Sequence, residues 1–353
     1  KVIKTTENGS NAKDITRYNY YFYDINAKVT QKCGDSDRLF LGFYRGKDHY
    51  LYDNEFSRTP TISDITYQKD ISQTRLNWGN LIGYTRWNHI FSNQLFSNFT
   101  VSSNQYRMSL NETSEDRTDY QGKLYGYHRY RSEFRSGICD WSLRADFDFT
   151  PSTRHHIRFG SEFIHHLFTP GVSTSHICNV SDGSARQDTT YATSSNLPQR
   201  GMELSLYGED SWEATDRLSL NLGVRASLFH TQGKSYMSAQ PRVSARYDWG
   251  KGIATKASYS CMAQYVHLLT ATPFSMPTDL WVPITRNIRP MYANQYSIGT
   301  YYTDLPGWEF SLEGYYKQMR HILEYQDGVS FFGTSTHWEE KVEMGQGRSY
   351  GLE

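Results

Sequence analysis

Long apolar runs are missing from this chain. No stretch of its 353 residues approaches the ~20 consecutive apolar residues that a membrane-crossing helix needs. Mean hydropathy is -0.69. An excess of one charge is missing too, with 37 Lys and Arg against 37 Asp and Glu. Phosphate backbones demand a basic excess or a basic patch, so nucleic acid is excluded as the main partner. Cysteine is scarce. Cys33, Cys139, Cys178 and Cys261 lie in different segments without metal-ligand spacing, which speaks against both a disulfide framework and a metal site. Catalytic signatures are absent as well: there is no nucleophile elbow, phosphate loop, HExxH or paired-carboxylate arrangement. Glu309 and Glu313 share a strand face, but their spacing is that of a wall. We expect no catalytic residue, no cofactor and no enzyme.

What is present is aromatic and alternating. The chain holds 28 Tyr, 18 Phe and 8 Trp. That mixture suits an all-β soluble protein with tyrosine-lined surfaces, or a membrane barrel with aromatic girdles. In "LSLNLGVRASL", residues 218–228, Leu218, Leu220, Leu222, Val224, Ala226 and Leu228 alternate with Ser219, Asn221, Gly223, Arg225 and Ser227. Successive strand residues point to opposite faces, so one face is apolar and the other polar. The same pattern recurs in "YYFYDINAKVTQ", "RLFLGFYRG", "LNWGNLIGYTRWNHIF", "DWSLRADFDF", "RVSARYDW" and "WEFSLEGYYKQM". With the closing "GRSYGLE" the pattern predicts thirteen strands.

The connections separate barrel from sandwich or propeller. Short turns are expected near 33–37, 92–94, 150–154, 214–217, 249–251 and 304–307. Mostly long loops are expected at 55–72, 109–131, 169–199, 231–239, 267–291 and 326–345. Hairpin strands are antiparallel, so this alternation puts all short turns on one rim and all long loops on the other. That is the asymmetry of an outer-membrane barrel. Trp141, Trp212, Trp249 and Trp308 fall near expected strand ends, where amphipathic rings sit at headgroup depth.

"SLYGEDSWEATDRLSLNLGVRASLF" followed by "AQPRVSARYDWGKGIATKASYSCMAQYVHLL" resembles the barrel of TonB-dependent outer-membrane receptors. "PTDLWVPITRNIRPMYANQYSIG" and "EGYYKQMRHILEY" resemble the version common in Bacteroidetes. The resemblance covers most of 17–353. It implies an all-β, antiparallel up-and-down transmembrane barrel of 22 strands, of which residues 1–353 hold about thirteen as one partial barrel domain. It further implies an N-terminal plug, energy from the TonB complex, and an integral place in the outer membrane of a Gram-negative bacterium. Plug, TonB-binding segment and last strands are expected outside this sequence. The implied function is active uptake of a bulky, scarce ligand: a ferric siderophore or other metal chelate, a cobalamin-like molecule, an oligosaccharide or a peptide. The implied partners are outer-membrane lipid, the TonB complex through the plug, and a surface lipoprotein as a further candidate. The alternatives are a passive porin-like barrel, a soluble β-rich glycan-binding module and an outer-membrane barrel hydrolase, although no Ser, His and acid cluster at one rim is visible.

Ligand capture is expected on the long loops. In "HLLTATPFSMPTDLWVPITRNIRP", Pro273, Pro277, Pro283 and Pro290 stiffen the chain, Phe274 and Trp281 offer stacking surfaces, and Arg286 and Arg289 can pair with carboxylate or phosphate. Tyr292 completes this candidate set. The competing expectation is that the loop folds over the barrel mouth and packs on its neighbours. The Ser/Thr-rich 169–199 segment reads as a solvated loop. His155/His156 and His165/His166 are adjacent in sequence, so each pair points to opposite faces and cannot chelate. His156 and His166 share the inner face but lie ~33 Å apart along a strand, and no metal is expected.

Overall fold

The structure is a computed structural model, and it describes residues 2–5, 11–60, 64–181, 185–192, 198–270, 279–328 and 337–353. Four residues, β1 (Val2–Thr5), open the sheet. Six long strands follow: β2 (Asn11–Lys32), β3 (Asp37–Thr59), β4 (Ile65–Ile90), β5 (Leu95–Tyr120), β6 (Lys123–Ser152) and β7 (His155–Ser181). A short β8 (Ala185–Ala192) folds back on β7. Then come β9 (Gln199–Glu213), β10 (Leu218–Thr231), β11 (Lys234–Gly250) and β12 (Ile253–Gln264). Two short strands, β13 (Val266–Leu269) and β14 (Leu280–Pro283), form a separate hairpin. The main sheet resumes with β15 (Met291–Leu305), β16 (Trp308–Tyr325) and β17 (Val342–Leu352), the last preceded by a single 3-10 turn at Trp338–Lys341.

Every long strand pairs antiparallel with its chain neighbour, apart from the excursions of β8 and of the β13–β14 hairpin. This is an all-β up-and-down meander, and the thirteen strands read from the alternation are the thirteen long strands observed. No helix among the described residues is long and apolar enough to cross a membrane. The four cysteines are free.

The faces sort as the alternation requires. Ile25, Leu41, Phe43, Leu143, Leu206, Val224, Ile298 and Leu312 lie on the convex side and are each 42–61% exposed. Among the described residues no second sheet or helix covers them, so these apolar rows form an exposed belt, the pattern expected of a strand that faces lipid. Their neighbours on the concave side are polar and knit strand to strand. Arg225 reaches Glu162 at 2.9 Å and Glu203 at 3.5 Å, Arg158 meets Glu209 at 2.6 Å, and Tyr301 donates to Glu313. Bare backbone appears where a ring lies across it: a Cβ on Gly201 would meet the Phe229 ring at 2.6 Å, and one on Gly42 the Tyr84 ring at 2.1 Å. Trp249 and Trp308 are exposed at the short-turn rim, as a girdle position requires. Trp141 does not sit at a strand end. It lies within the 30-residue β6, at the far border of the belt.

Several expected loops are strand instead. Strands β2 to β7 run 22–30 residues, against the ~9–11 that span a membrane, and so continue well past the belt. The 109–131 segment is two paired strands closed by Gln121–Gly122, with Tyr120 opposite Lys123. The 231–239 segment closes at Gln232–Gly233, with Thr231 opposite Lys234. Both turns hold both central residues at positive φ (47° and 76°; 49° and 73°), which matches the twist of the flanking strands. Residues 55–59, 65–72 and 169–181 are likewise strand. Beyond the belt both faces of a strand meet water, so the apolar period that marks a membrane strand has no cause to persist there.

Candidate functional site

The hairpin β13–β14 leaves the wall after β12 and folds onto the concave side. Its root is fixed first. Phe229 and Ile284, both fully buried, pack with Tyr265 into a small cluster, with the Phe229 and Tyr265 rings stacked at 5.1 Å. The Tyr265 hydroxyl lies 2.6 Å from Ser227 Oγ and 2.7 Å from Ser238 Oγ, and the Ile284 N–H donates to the Tyr265 carbonyl at 2.8 Å. One face of the hairpin is then apolar and buried. Leu269, Leu280 and Val282 join Ile288, Leu323, Trp338 and Val342, and together they press on Met108 and Phe134 of the wall. His267 is buried on this hairpin, and with nothing to offset the loss of water its imidazole pKa is pushed down to about 4.

The other hairpin face, with Val266, Leu268 and Trp281, looks across a chamber of about 630 Å³ to β4, β5 and β6. The wall contributes Trp78, Asn80, Asn104, Tyr106 and Asp140, and Asp279 closes the hairpin side. These wall residues share a face because 78, 80 and 82 alternate inward on β4, while 104 and 106 do so on β5. Asp279 is almost fully buried and lies within electrostatic reach of the Tyr106 and Tyr325 phenols. Asp140 is held from behind: His166 Nδ1 is 2.7 Å from its Oδ1, and the His166 ring stacks on Phe168 at 5.5 Å. Trp78 stacks on Tyr20 at 6.3 Å, extending the aromatic lining up the wall, where Tyr20 donates to Asp48 at 2.5 Å. Three large rings, two carboxylates and three amide residues, Asn80, Asn104 and Gln105, thus meet one space, and among the described residues no Lys or Arg lines it. Such a surface stacks on ring faces and accepts hydrogen bonds from hydroxyl or amine groups.

Among the loop candidates, Trp281 lines this chamber. Arg286 is exposed at the rim, where its carbonyl accepts from Lys234 Nζ at 3.1 Å and its N–H donates to Gln232. Arg289 is exposed, with its N–H on Met344 Sδ. Tyr292 sits in β15 opposite Ala263 and Arg320, its ring 6.5 Å from His321. None of these three lines the chamber, and Phe274 lies outside the described residues. The described residues of this loop, 267–270 and 279–290, fold inward and pack on the wall and on Phe229. Sequence reading missed Trp78, Tyr106, Asp140 and Asp279. For Trp78, Tyr106 and Asp140 the available signal was a large ring or an acid on the otherwise polar inner row of a long strand, whereas Asp279 lies just before β14 and carried no such signal. His155 and His156 pair with Asp210 (2.8 Å) and Asp148 (2.6 Å), and no group of metal-ligating side chains gathers among the described residues.

Comparison with known proteins places this architecture. Residues 5–353 match the family model described as TonB dependent receptor-like, beta-barrel. No curated protein matches the chain by sequence. Two solved structures share the fold at 12% identity: the pyoverdine outer-membrane receptor FpvA of Pseudomonas aeruginosa PAO1, with a TM-score of 0.54, and the ferric-catecholate import receptor Fiu of E. coli K12, with 0.52. The alignments cover 99% and 98% of this chain but only 58% and 62% of those proteins, so the chain spans about three-fifths of their length. The match along nearly its whole length shows that the chain belongs to the TonB-dependent receptor β-barrel family, a family of receptors rather than enzymes.

Proposed function

We propose that the chain forms part of the barrel of an integral outer-membrane receptor of the Bacteroidetes kind, in a Gram-negative bacterium. The receptor captures a bulky, scarce ligand and imports it with energy drawn from the TonB complex through a plug. Residues 1–353 are one partial barrel domain in this reading, and Trp281, with the rings and acids opposite it, makes the ligand contacts. Fiu is by name a ferric-catecholate import receptor, and FpvA a pyoverdine outer-membrane receptor. The observation that carries the reading is the chamber on the concave side, roofed by an inward-folded hairpin and lined by Trp78, Tyr106, Trp281, Asp140 and Asp279. A passive porin keeps a water-filled channel, whereas here the hairpin lies across the wall from β6 and β7 to β16.

The lining also bears on the ligand. Without a cation to meet anionic oxygens, it favours a ring-bearing, hydroxyl- or amine-rich solute such as an oligosaccharide or a hydroxylated chelate. Polyanions suit it poorly. Titration calorimetry on the detergent-solubilised intact receptor, comparing neutral oligosaccharides with ferric tris-catecholates, tests this. Tighter binding of the tris-catecholate overturns the ligand class. Diffusive solute flux that needs no TonB complex overturns the receptor.

A further inference from the structure

The convex face changes character abruptly at the upper border of the belt. On β3 the outward row runs Leu41, Phe43, Arg45, Lys47; on β4 it runs Leu81, Gly79, Asn77, Arg75. On β5 it runs Val101, Ser103, Gln105, Arg107, and on β6 Leu143, Trp141, Cys139, Gly137, Arg135. Four adjacent strands thus end their apolar rows in a cation, and Arg45, Arg75, Arg107 and Arg135 are exposed. The register aligns Lys47, Gly79, Arg107 and Gly137 side by side. Strands lie ~4.8 Å apart, so Lys47 and Arg107 stand ~10 Å apart with bare backbone between them. The bare positions are built in: a Cβ on Gly79 would strike the Gly46 carbonyl oxygen at 2.3 Å, and one on Gly137 that of Tyr106 at 2.5 Å.

Carboxylates are few around this arc. Glu133 pairs with Arg135 at 2.6 Å, and Asp53, higher on β3, pairs with Arg17 at 2.9 Å. Gln73 accepts from Arg75 at 3.4 Å, and the Gln105 amide, once its oxygen and nitrogen are exchanged, accepts from Arg107 at 2.9 Å. Among the described residues no ion pair engages Arg45, Lys47, Arg75 or Arg107. Arg45, in the row of Leu81, and Lys47 and Arg107, one row above it, stand at the edge of a hydrocarbon-facing surface, the depth at which lipid headgroups carry their charge. Arg75 stands ~13 Å farther along the sheet, opposite Leu51 and Asn111.

We propose that Arg45, Lys47 and Arg107 form a binding site for the phosphate groups of an anionic lipid in the leaflet on the long-hairpin side, with its acyl chains lying on Phe43, Leu81 and Val101. The site rests on the membrane placement proposed above but not on the transported ligand. Each guanidinium supplies a fork of donors matched to phosphate, and the glycine gaps admit the headgroup to the backbone.

Native mass spectrometry of the intact receptor, released from micelles doped with phosphatidic acid or with phosphatidylcholine, tests it. The wild type should retain phosphatidic acid at least about tenfold better, and R45Q/K47Q/R107Q should lose that preference, since each cation near a charged lipid surface is worth about fivefold. The charge-conserving R45K/R107K variant should keep most of it, with heat-modifiable gel mobility reporting an intact barrel in both. Equal retention of the two lipids by wild type, or an unchanged preference in the glutamine variant, overturns the site. Displacement of the lipid by millimolar inorganic phosphate makes it a soluble-anion site and also overturns the proposal. A receptor that fails to sediment with outer membranes overturns the membrane placement instead.

Discussion

His166 and Asp140 face each other across neighbouring strands β7 and β6, with Nδ1 and Oδ1 2.7 Å apart. The histidine is buried and stacked on Phe168, while the carboxylate borders the chamber. The ring leaves Asp140 little freedom to turn away from the space in front of it. Asp140→Asn removes the charge and His166→Gln loosens the support. Both should weaken ligand binding about tenfold, roughly 1.4 kcal/mol, while the barrel keeps its heat-modifiable mobility. Calorimetry of the intact receptor checks this. Undiminished affinity in Asp140→Asn would remove the chamber from the ligand's path.

Trp281 offers a flat indole from the hairpin toward Trp78 and Tyr106. Trp281→Ala should reduce affinity for a ring-bearing ligand by about 1–2 kcal/mol, and Trp281→Phe should restore about half of that. The exposed Arg289, which does not line the chamber, provides the contrast: Arg289→Ala should bind within about twofold of wild type.

Adjacent residues on β10 should respond in opposite ways. Val224 is 53% exposed on the belt, whereas Arg225 faces the concave side between Glu162 and Glu203. Val224→Arg places a charge in hydrocarbon and should destabilise the barrel by about 2–4 kcal/mol. Arg225→Lys should cost well under half of that, because the two acids keep a cation. Urea unfolding of the receptor in lipid vesicles measures both.

Acid should loosen the hairpin. The His267 pKa falls from the ordinary 6.5 to about 4 in the folded protein, so the unfolded hairpin binds a proton more readily. The packing is therefore at full strength above about pH 6.5 and weakens as pH drops through 6.5 toward 4, by about 3 kcal/mol at most. Protease accessibility of the hairpin should rise over that window, and His267→Phe should abolish the rise. A flat profile in the wild type would mean that His267 is not buried in solution.

The strand count and the faces were legible because a membrane strand has only one way to satisfy lipid on one side and water on the other. "LSLNLGVRASL" declares both in eleven letters. The hairpin extensions of β4 to β7 were not, because "NETSEDRTDYQGKLYGYHR" is polar on both faces and reads as loop. The Gln–Gly turn that closes it is a weaker signal than Asn–Gly. Of the loop candidates, Trp281 was placed in the chamber by the inward fold of its hairpin, while Arg286, Arg289 and Tyr292 were carried to the rim and wall by the same fold.

The sequence by itself determined the strands, their alternation and the lipid-facing rows, because each depends only on neighbours two residues apart and on the solvent each face meets. Only the tertiary structure decided the chamber and the basic arc. Trp78, Tyr106, Asp140 and Trp281 come from four elements spread over some two hundred residues, and Lys47 and Arg107 share a row only through the register of β3, β4 and β5. Register is set by pairing along the whole sheet, and no local run of residues carries it.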